Sequence, residues 1–544
     1  MKLSIFSLPG IIALFALVLC AGCYKDLGNY DYKKVNEIQI DTLPNSIFIN
    51  QFDSLKLTPV IKRTMDQGAL DDTTLYGYKW IIGLPDSSKN LTTAVVISTA
   101  RVLAAKVLVP VGRYGLYLEI RDRKSNQIFT QHTNNLVVGS ATYEGWLVLS
   151  DVKGNAQLDM ITYANTEVGL VRNILEQSPD LPKPLKGPRK IAYHYTYTYN
   201  AVPALFHAAK LSVADRSWIY LSTEQGTWKL RSDYMFTTGK WNVRNEFLIP
   251  PDSTTFAPGF VGNGEGSVDY ENCYIQDGKG NFYERNAYEY YVTNMNQVVG
   301  EGDFVAAPFL GRAFGYSWTE HTVLFDVHKK RFVRSYPGDG NCTPIPAPTG
   351  TALFDFDNVG MDLVWMKSMD YLDLTYAVMR DPAGAYWLLT FDARSVVTQN
   401  SMAKITAPDI NKAVFFTIDK NYGTLFYGTD TKVYAVHKDF PDQYYQVFDA
   451  GNRKISWLDQ HQFTGGKGIY NGDINGVPNT TNLAPYKANW LGIATYDPAN
   501  PEYGSGTLSF YFAQDFLVNH AALSKKDEYP GFGKIVSVTY RERF

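Results

Sequence analysis

Residues that could carry metal or acid–base chemistry are sparse in this 544-residue sequence. None of its eight histidines has a partner at the spacing that zinc enzymes use on one helix face. Residues 355–362 partly imitate a calcium loop, but Val359 stands at a ligand position and no glutamate closes the loop. The glycines around Gly264 open no helix, which a phosphate-binding loop requires. The sequence therefore predicts no metal site, no cofactor and no catalytic residue.

Aromatic side chains are the more informative surplus, at 14% of all residues. Residues 191–200 read IAYHYTYTYN, which places four tyrosines on one face of a predicted strand. That face either packs between neighbouring sheets or forms a platform that stacks on sugars or peptide side chains. Other aromatic residues fall in segments predicted to connect strands, where ligands usually bind. The predicted ligand-binding residues are Tyr288, Tyr290, Tyr291, Tyr316 and Trp318.

The four cysteines divide into an N-terminal pair and a pair in the body of the chain. Cys273 and Cys342 form the second pair. In an oxidising compartment these two residues could form a disulfide, but the sequence does not show whether their Cα atoms come close enough. A Cys273–Cys342 disulfide and two buried free thiols are therefore both left open.

The N-terminus has the organisation of an export signal. Lys2 gives it a positive start, and the apolar residues 11–19 follow. The apolar run is shorter than the roughly 20 residues that cross a bilayer. The sequence Ala21-Gly22-Cys23 then resembles the lipobox of bacterial lipoproteins, in which cleavage leaves the cysteine as the lipidated first residue. We expect residues 1–22 to be a signal peptide and Cys23 to carry lipid that anchors the protein in the outer membrane.

Charge and composition narrow the class of protein. The chain has 51 Lys and Arg against 54 Asp and Glu, so it offers no basic surface for nucleic acid. Its Thr-, Val- and Tyr-rich runs are typical of strands rather than helices. We therefore predict an all-β protein that binds no nucleic acid.

The first part of the mature chain is predicted to be an immunoglobulin-like domain. Between residues 39 and 140, short runs of strand-forming residues are separated by turn residues. Tyr78 and Trp80 share one face of a run in the middle, where a core tryptophan belongs. A later glycine turn leads into the alternating residues 114–122, and the two features together resemble the PKD domain pattern. We expect a PKD-like β-sandwich over residues 39–140, preceded by a tether over residues 23–38.

The remaining chain, residues 141–544, repeats one unit. The unit is a strand, a turn rich in Asp and Gly and a second strand, and it recurs about every 50 residues. Seven such hairpins begin near Trp146, Trp218, Asn272, Thr322, Thr375, Thr424 and Trp490. Because one unit cannot bury both of its faces alone, the repeat predicts a seven-bladed β-propeller, with two smaller β domains as the alternative. Residues 534–543 are expected to pair beside the first blade and close the ring.

The order of these segments is similar to that of the PKD-like family lipoproteins of Bacteroidetes. The similarity rests on CYKDLGNYDYKKVNEIQI from residue 23, on the Y-x-W domain and on the β-rich C-terminal region, and it covers nearly the whole chain. Members are commonly encoded beside SusC/SusD-type uptake systems, which implies nutrient capture at the cell surface and no enzymatic activity. Tyr24-Lys25-Asp26 also looks like the export tag of surface lipoproteins in Bacteroidetes, which implies that the protein faces the cell exterior.

The preferred functional hypothesis is a non-enzymatic surface lipoprotein. Its propeller binds a glycan or peptide nutrient, or docks on a SusC/SusD-type transporter. The first alternative is a propeller-based hydrolase or lyase, because paired carboxylates are set by geometry and can come from any two blades. The second alternative is an adhesion module that recognises only protein.

Overall fold

The computed structural model describes residues 37–51, 53–65, 70–83, 94–109, 112–139, 145–164, 167–178, 181–195, 217–231, 237, 241–251, 260–262, 273–285, 290–313, 321–336, 338–369, 374–419, 422–460, 473–474, 477–478, 490–513 and 523–541. The predicted signal peptide and the lipidation residue Cys23 lie outside these residues. The described residues form two compact units. The N-terminal domain is built largely from residues up to Leu136, and the C-terminal domain largely from Val137 onward.

Strands make up the regular structure of both units. Within the described ranges the helices are three short 3₁₀ turns, at Ile174–Gln177, Val243–Glu246 and Ile410–Lys412. None of the helices in these ranges is long and apolar enough to cross a membrane. The prediction of an all-β protein is confirmed.

The described residues of the N-terminal domain form nine strands, and five of them make one sheet with the order β2-β9-β8-β5-β6. The strands are β1 (Ile38–Ile40), β2 (Ile47–Asn50), β3 (Ser54–Leu57), β4 (Ile61–Arg63), β5 (Tyr76–Gly83), β6 (Val95–Ser98), β7 (Leu103–Lys106), β8 (Gly112–Asp122) and β9 (Ile128–Gly139). Two smaller sheets pair β1 with β4 and β3 with β7. The inner face of the large sheet carries Tyr78 and Trp80, both buried as predicted, and the Trp80 indole N–H donates to the Ala100 carbonyl at 3.1 Å.

The C-terminal domain contains seven successive antiparallel sheets of three or four strands among its described residues. Sheet 1 contains β10 (Gly145–Val152), β11 (Asn155–Ala164), β12 (Glu167–Val171) and the last strand β39 (Lys534–Arg541); sheet 2 contains β13 (Pro188–Tyr195), β14 (Ser217–Thr223) and β15 (Gly226–Arg231). Sheet 3 contains β16 (Phe260–Gly262), β17 (Cys273–Gln276) and β18 (Phe282–Arg285); sheet 4 contains β21 (Gly311–Ala313), β22 (His321–Asp326), β23 (Arg331–Ser335) and β24 (Thr343–Pro344); sheet 5 contains β25 (Asp362–Met369), β26 (Leu374–Arg380), β27 (Tyr386–Asp392) and β28 (Thr398–Lys404). Sheet 6 contains β29 (Phe415–Ile418), β30 (Leu425–Gly428), β31 (Lys432–Val436) and β32 (Tyr444–Asp449); sheet 7 contains β33 (Lys454–Gln460), β36 (Leu491–Tyr496), β37 (Gly506–Phe512) and β38 (Ser524–Phe532). Two minor pairs join β19 (Gln297–Val298) to β20 (Gly302–Asp303) and β34 (Asp473–Ile474) to β35 (Val477–Pro478).

Each of the seven hairpins predicted from the sequence is a hydrogen-bonded pair in one of these sheets. The pairs are β10–β11, β14–β15, β17–β18, β22–β23, β26–β27, β30–β31 and β36–β37. The last strand, β39, pairs antiparallel with β10, so the end of the chain completes the first sheet as predicted.

Apolar side chains between the sheets explain this order. Among the described residues, a buried apolar cluster lies between each sheet and the next one along the chain, from sheet 1 to sheet 7. A further cluster contains residues of sheet 7 and sheet 1. In the last cluster Trp146 of sheet 1 stacks on Phe510 of sheet 7 with ring centroids 4.6 Å apart. Each sheet therefore buries both faces, and every fully buried Leu, Val or Phe side chain stabilises the fold by about 1.5–3 kcal/mol.

One polar position recurs at the seven hairpin turns. An Asp or Thr side chain near the end of the first strand of each hairpin accepts a hydrogen bond from a backbone N–H within the turn. The residues are Asp151, Thr223, Asp277, Asp326, Asp381, Thr429 and Asp497. These side chains fix the direction in which each second strand returns, because Asx and Ser/Thr turns replace a missing backbone partner.

Candidate functional site

The strands β39 of sheet 1 and β13 of sheet 2 lie beside each other and run in the same direction. The Ile191 N–H of β13 donates to Ser537 Oγ of β39 at 3.1 Å, and the Tyr193 N–H donates to Thr539 Oγ1 at 3.3 Å. The partner advances by two residues for each two residues along β13, so the strands are parallel neighbours. The C-terminal ends of β39 and β13 therefore lie at the same end of sheets 1 and 2.

A polar cluster lies near the C-terminal ends of β25, β29 and β33, which are the first strands of sheets 5, 6 and 7. We define the strand-end cluster as Lys367 on β25, Thr417 on β29, and Asp459 and Gln460 on β33. The Lys367 ammonium lies 3.1 Å from Asp459 Oδ1, and the Thr417 hydroxyl donates to the same oxygen at 2.6 Å. The backbone N–H of Gln460 also donates to it, at 2.8 Å. One carboxylate therefore ties three sheets together.

The strand-end cluster is open to solvent on one side. The Asp459 side chain is 37% exposed and the Lys367 side chain 15% exposed, whereas Thr417 and Gln460 are buried. The three contacts of Asp459 within the described ranges go to Oδ1. A carboxylate oxygen and an ammonium held side by side can accept and donate hydrogen bonds to neighbouring hydroxyl groups of a ligand.

Three of the five predicted ligand-binding residues, Tyr288, Tyr316 and Trp318, lie outside the described residues.

Two of the five predicted residues are described, and they differ in exposure. Tyr290 is half-buried. Tyr291 has no exposed surface, and its ring stacks on Phe247 with centroids 4.8 Å apart, because a backbone bridge joins the two residues. Tyr291 therefore fills the interior between sheets 2 and 3. Similarly, Tyr193 of the predicted tyrosine face packs in the core between sheets 1 and 2, while Tyr197 and Tyr199 lie outside the described residues.

A second set of charges is fully buried between sheets 2 and 3. We define the buried charge cluster as three side chains. They are Lys229 on β15, Glu246 in the 3₁₀ turn Val243–Glu246, and Arg285 on β18. The Lys229 ammonium lies 2.6 Å from Glu246 Oε1, and Arg285 Nη1 lies 3.5 Å from Glu246 Oε2. Arg285 Nη2 also donates to the Tyr220 hydroxyl at 3.1 Å. The three charged side chains are between 2% and 8% exposed, so they are shielded from water.

Burial changes the titration of the groups in and around this cluster. Desolvation lowers the pKa of Lys229 to about 8, against the attraction of Glu246, which raises it. The Lys229 ammonium also lies 4.3 Å from the centre of the Trp218 ring, a cation–π contact that favours the charged form. Burial raises the pKa of Cys273 and of Tyr220, so the thiol and the phenol are neutral at physiological pH.

The disulfide considered from the sequence is absent. Cys273 and Cys342 are free and buried. Cys273 belongs to the apolar cluster between sheets 2 and 3, whereas Cys342 belongs to the next cluster, between sheets 3 and 4. Desolvation raises the pKa of Cys342 to about 12, which keeps this thiol protonated and unreactive. The expectation of two buried free thiols is confirmed, and that of a disulfide is wrong.

Sequence reasoning missed both charged clusters, because each joins residues from separate repeats. Thr417 and Asp459, for example, lie 42 residues apart in the chain. An alignment of the first strands of successive repeats would show Lys367, Thr417 and Asp459 near corresponding positions. No group of three or more His, Cys, Asp or Glu side chains in the described ranges could hold a metal ion.

Comparison with known proteins identifies the N-terminal part of the chain. Residues 23–181 match the model of the PKD-like family. This match includes Cys23, the nine strands of the N-terminal domain and the start of sheet 1. The PKD-like nature of the N-terminal domain is therefore confirmed. No curated protein matches the chain.

Solved structures resemble the chain only loosely. A quinonprotein alcohol dehydrogenase-like protein from Bacteroides thetaiotaomicron is 9% identical, with 92% of this chain and 99% of that chain covered and a TM-score of 0.43. A DUF4784 family protein from Bacteroides caccae is 9% identical, with 94% and 100% covered and a TM-score of 0.29. The SGBP-B of the Bacteroides ovatus mixed-linkage glucan utilization locus, in complex with a mixed-linkage heptasaccharide, is 11% identical, with 92% and 93% covered and a TM-score of 0.16. Likenesses this loose transfer no function.

Proposed function

We propose that the protein is a non-enzymatic lipoprotein of the cell surface that binds a neutral glycan at the strand-end cluster of a seven-bladed β-propeller. The observation that carries the proposal is the position of this cluster. Its carboxylate, on a side chain 37% exposed, and its ammonium, on a side chain 15% exposed, lie side by side where the first strands of sheets 5, 6 and 7 meet.

The propeller architecture is supported by packing within the C-terminal domain. Seven sheets follow one another in the chain, each shares an apolar cluster with the next, and sheet 7 shares one with sheet 1. The pairing of β39 with β10 ties the chain end into the first sheet. Two separate β domains would leave two pairs of successive sheets without a shared cluster, so these contacts favour one ring.

A neutral glycan fits the chemistry of the strand-end cluster better than an ionic ligand. Lys367 and Asp459 offer one positive and one negative group, which cancel at a distance and still supply a donor and an acceptor. Aromatic rings near such groups stack on the apolar faces of sugars, as the binding sites of many proteins combine a flat ring with a few polar anchors.

The competing function is a hydrolase or lyase that uses Asp459. The contacts of this residue favour binding, because Lys367 and Thr417 both hold its Oδ1 in a fixed polar arrangement. We therefore assign Asp459 to ligand recognition.

Incubation with polysaccharides separates the two functions. Residues 24–544 would be run in native gels that contain neutral polysaccharides such as barley mixed-linkage β-glucan, xyloglucan, arabinoxylan and galactomannan, and the incubation mixtures would be analysed for released oligosaccharides. Retardation without product supports binding. Product that the Asp459→Ala variant no longer releases would establish the hydrolase. The Asp442→Ala variant, which removes an exposed carboxylate outside the cluster, is the matched control.

The surface location depends on lipid at Cys23. Wild-type protein is expected in the membrane fraction, and the Cys23→Ala variant in the soluble fraction, because an acyl chain supplies about 0.8 kcal/mol per buried methylene. Retention of the variant in the membrane would contradict lipid anchoring. Docking on a SusC/SusD-type transporter predicts co-purification of the wild type with such a transporter after mild detergent extraction.

A further inference from the structure

We propose that the N-terminal domain carries a second glycan-binding surface, centred on the stacked rings of Tyr117 and His132. This surface, which we call the sheet platform, consists of the exposed Val96 and His132 and the half-buried Tyr117 on the five-stranded sheet, with the buried Ile81 between Val96 and Tyr117. It is independent of the strand-end cluster, which belongs to the C-terminal domain.

Strand register places the sheet platform on the outer face of the sheet. In β5 and β8, the residues Trp80 and Leu118 point into the core and have no exposed surface. Side chains alternate along a strand, so Ile81 and Tyr117 point the other way. Ile81 is paired with Tyr117 on one side and with Val96 on the other, and these three residues form a row across three strands.

The row ends in an aromatic pair that faces solvent. The rings of Tyr117 and His132 are 5.4 Å apart at their centroids and only 17° from parallel. Val96 is 50% exposed, His132 is exposed and Tyr117 is half-buried. The near-parallel rings are stacked, so the solvent-exposed His132 ring lies against the half-buried Tyr117 ring, and an exposed ring supported in this way can stack on a sugar face.

A glycine holds the Tyr117 ring flat against the sheet. A Cβ built on Gly115 would lie 2.7 Å from Tyr117 Cε2 and 2.8 Å from its hydroxyl oxygen. Any larger residue at this position would lift the ring away from the backbone. Gly83 is the cross-strand partner of Gly115, and both glycines are buried.

Polar groups border one side of the row. Lys79 and Glu119 are cross-strand partners on the same outer face. Each lies two residues along its strand from Ile81 or Tyr117. Their opposite charges cancel at a distance, yet they offer hydrogen-bond donors and acceptors to hydroxyl groups. An aromatic floor with a neutral polar border fits an uncharged, extended glycan.

The stacking of a tyrosine on a strand glycine also stabilises a sheet without any ligand. The two roles are separated by comparing Tyr117→Phe, which keeps the ring, with Tyr117→Ala, which removes it. His132→Ala removes the second ring and leaves the Tyr117–Gly115 contact in place, so it tests binding even if Tyr117→Ala fails to fold. Tyr444→Ala, which removes a tyrosine 41% exposed on the C-terminal domain, is the matched control.

Affinity gels with the neutral polysaccharides barley mixed-linkage β-glucan, xyloglucan, arabinoxylan and galactomannan test the proposal on residues 24–544. For a polysaccharide that retards the wild type, we expect Tyr117→Ala to raise the dissociation constant at least tenfold and His132→Ala about threefold. Tyr117→Phe and Tyr444→Ala should stay within about twofold. Circular dichroism and the melting temperature establish that each variant is folded.

Three results would overturn the proposal. The first is that no polysaccharide retards the wild type, and the second is that folded Tyr117→Ala and His132→Ala bind like the wild type. The third is that Asp459→Ala loses all binding while the platform variants lose none. The third result would leave the strand-end cluster as the binding site. Loss in the platform variants together with wild-type binding by Asp459→Ala would support the sheet platform and count against the strand-end cluster. The two proposals can therefore fail separately.

Discussion

The strand-end cluster and the buried charge cluster contain the same chemistry in different surroundings. Each pairs a lysine with a carboxylate, Lys367 with Asp459 at 3.1 Å and Lys229 with Glu246 at 2.6 Å. The Asp459 side chain is 37% exposed, whereas the Glu246 side chain is 8% exposed. Water still solvates the first pair, and only protein solvates the second. The first pair is therefore available to a ligand, and the second fixes how sheets 2 and 3 pack.

Desolvation accounts for the difference between the two lysines. Burial lowers the pKa of Lys229 to about 8 despite the nearby carboxylate. In a buried pair the cost of removing water can exceed the Coulombic attraction, so such a pair contributes little net stability. Removal of one partner is nevertheless costly, because it leaves a charge without compensation.

The largest expected effect is on folding stability, at the buried charge cluster. Glu246→Gln removes the carboxylate that both Lys229 and Arg285 contact. Unpaired buried charges cost about 3–5 kcal/mol of unfolding free energy. Urea unfolding at pH 7 measures this value, and Asp459→Asn, at the exposed pair, is the control, with an expected loss below about 1 kcal/mol. Equal losses in both variants would contradict the comparison.

A smaller effect is expected on the pH dependence of stability. The pKa of Lys229 is lowered from 10.5 to about 8 by folding, so between these values the unfolded chain binds a proton that the folded chain lacks. Stability contributed through Lys229 therefore rises as the pH increases from about 8 to 10.5, by up to about 3 kcal/mol.

The Lys229→Met variant lacks this titrating group. Urea unfolding of the wild type and the variant at pH 7 and pH 9.5 gives the difference between their stabilities at each pH. We expect this difference to move in favour of the wild type at pH 9.5, because its lysine is then largely neutral. Lys367→Met, at the exposed cluster, should show a much smaller change. A difference between the wild type and Lys229→Met that stays the same at both pH values would show that burial does not lower the pKa of Lys229.

The next effect is on ligand binding, at the strand-end cluster. Asp459→Ala removes the carboxylate but no apolar contact of the core. We expect it to weaken binding of a neutral polysaccharide about tenfold, equivalent to about 1.4 kcal/mol, and to lower the melting temperature slightly, because Lys367 and Thr417 lose their shared partner. Affinity gels measure the first quantity and thermal unfolding the second. A large loss of stability would place Asp459 with the buried charge cluster.

The smallest structural effect is expected for the two thiols. Cys273 lies beside the buried charge cluster, and Cys342 lies in the next apolar cluster. Both thiols should react with a thiol reagent only after unfolding, since burial raises the pKa of each. Rapid reaction of either thiol in the native protein would show that water reaches these clusters.

The repeating hairpins could be predicted from the sequence because each one is specified locally. The alternating strand residues and the Asp- or Gly-containing turns lie within a few residues of each other, and the Asp277 carboxylate, for example, binds the backbone of its own turn. The burial of Tyr78 and Trp80 was also predictable, because alternation on one strand determines which face they share.

The charged clusters could not be predicted, because they depend on how separate sheets meet. Thr417 and Asp459 come together only through the packing of β29 against β33. Tyr291 appeared to belong to a ligand-binding segment, but its backbone bridge to Phe247 places the ring in the core. Nothing in the local sequence of Tyr291 indicates that bridge.

The central claim is that a glycan binds at the strand-end cluster, and a crystal structure of residues 24–544 soaked with an oligosaccharide from a retarding polysaccharide tests it most directly. We predict sugar density with a hydroxyl group within hydrogen-bond distance of Asp459 Oδ2 or Lys367 Nζ. Sugar density that avoids both residues, in a crystal whose strand-end cluster is open to solvent, would contradict the claim.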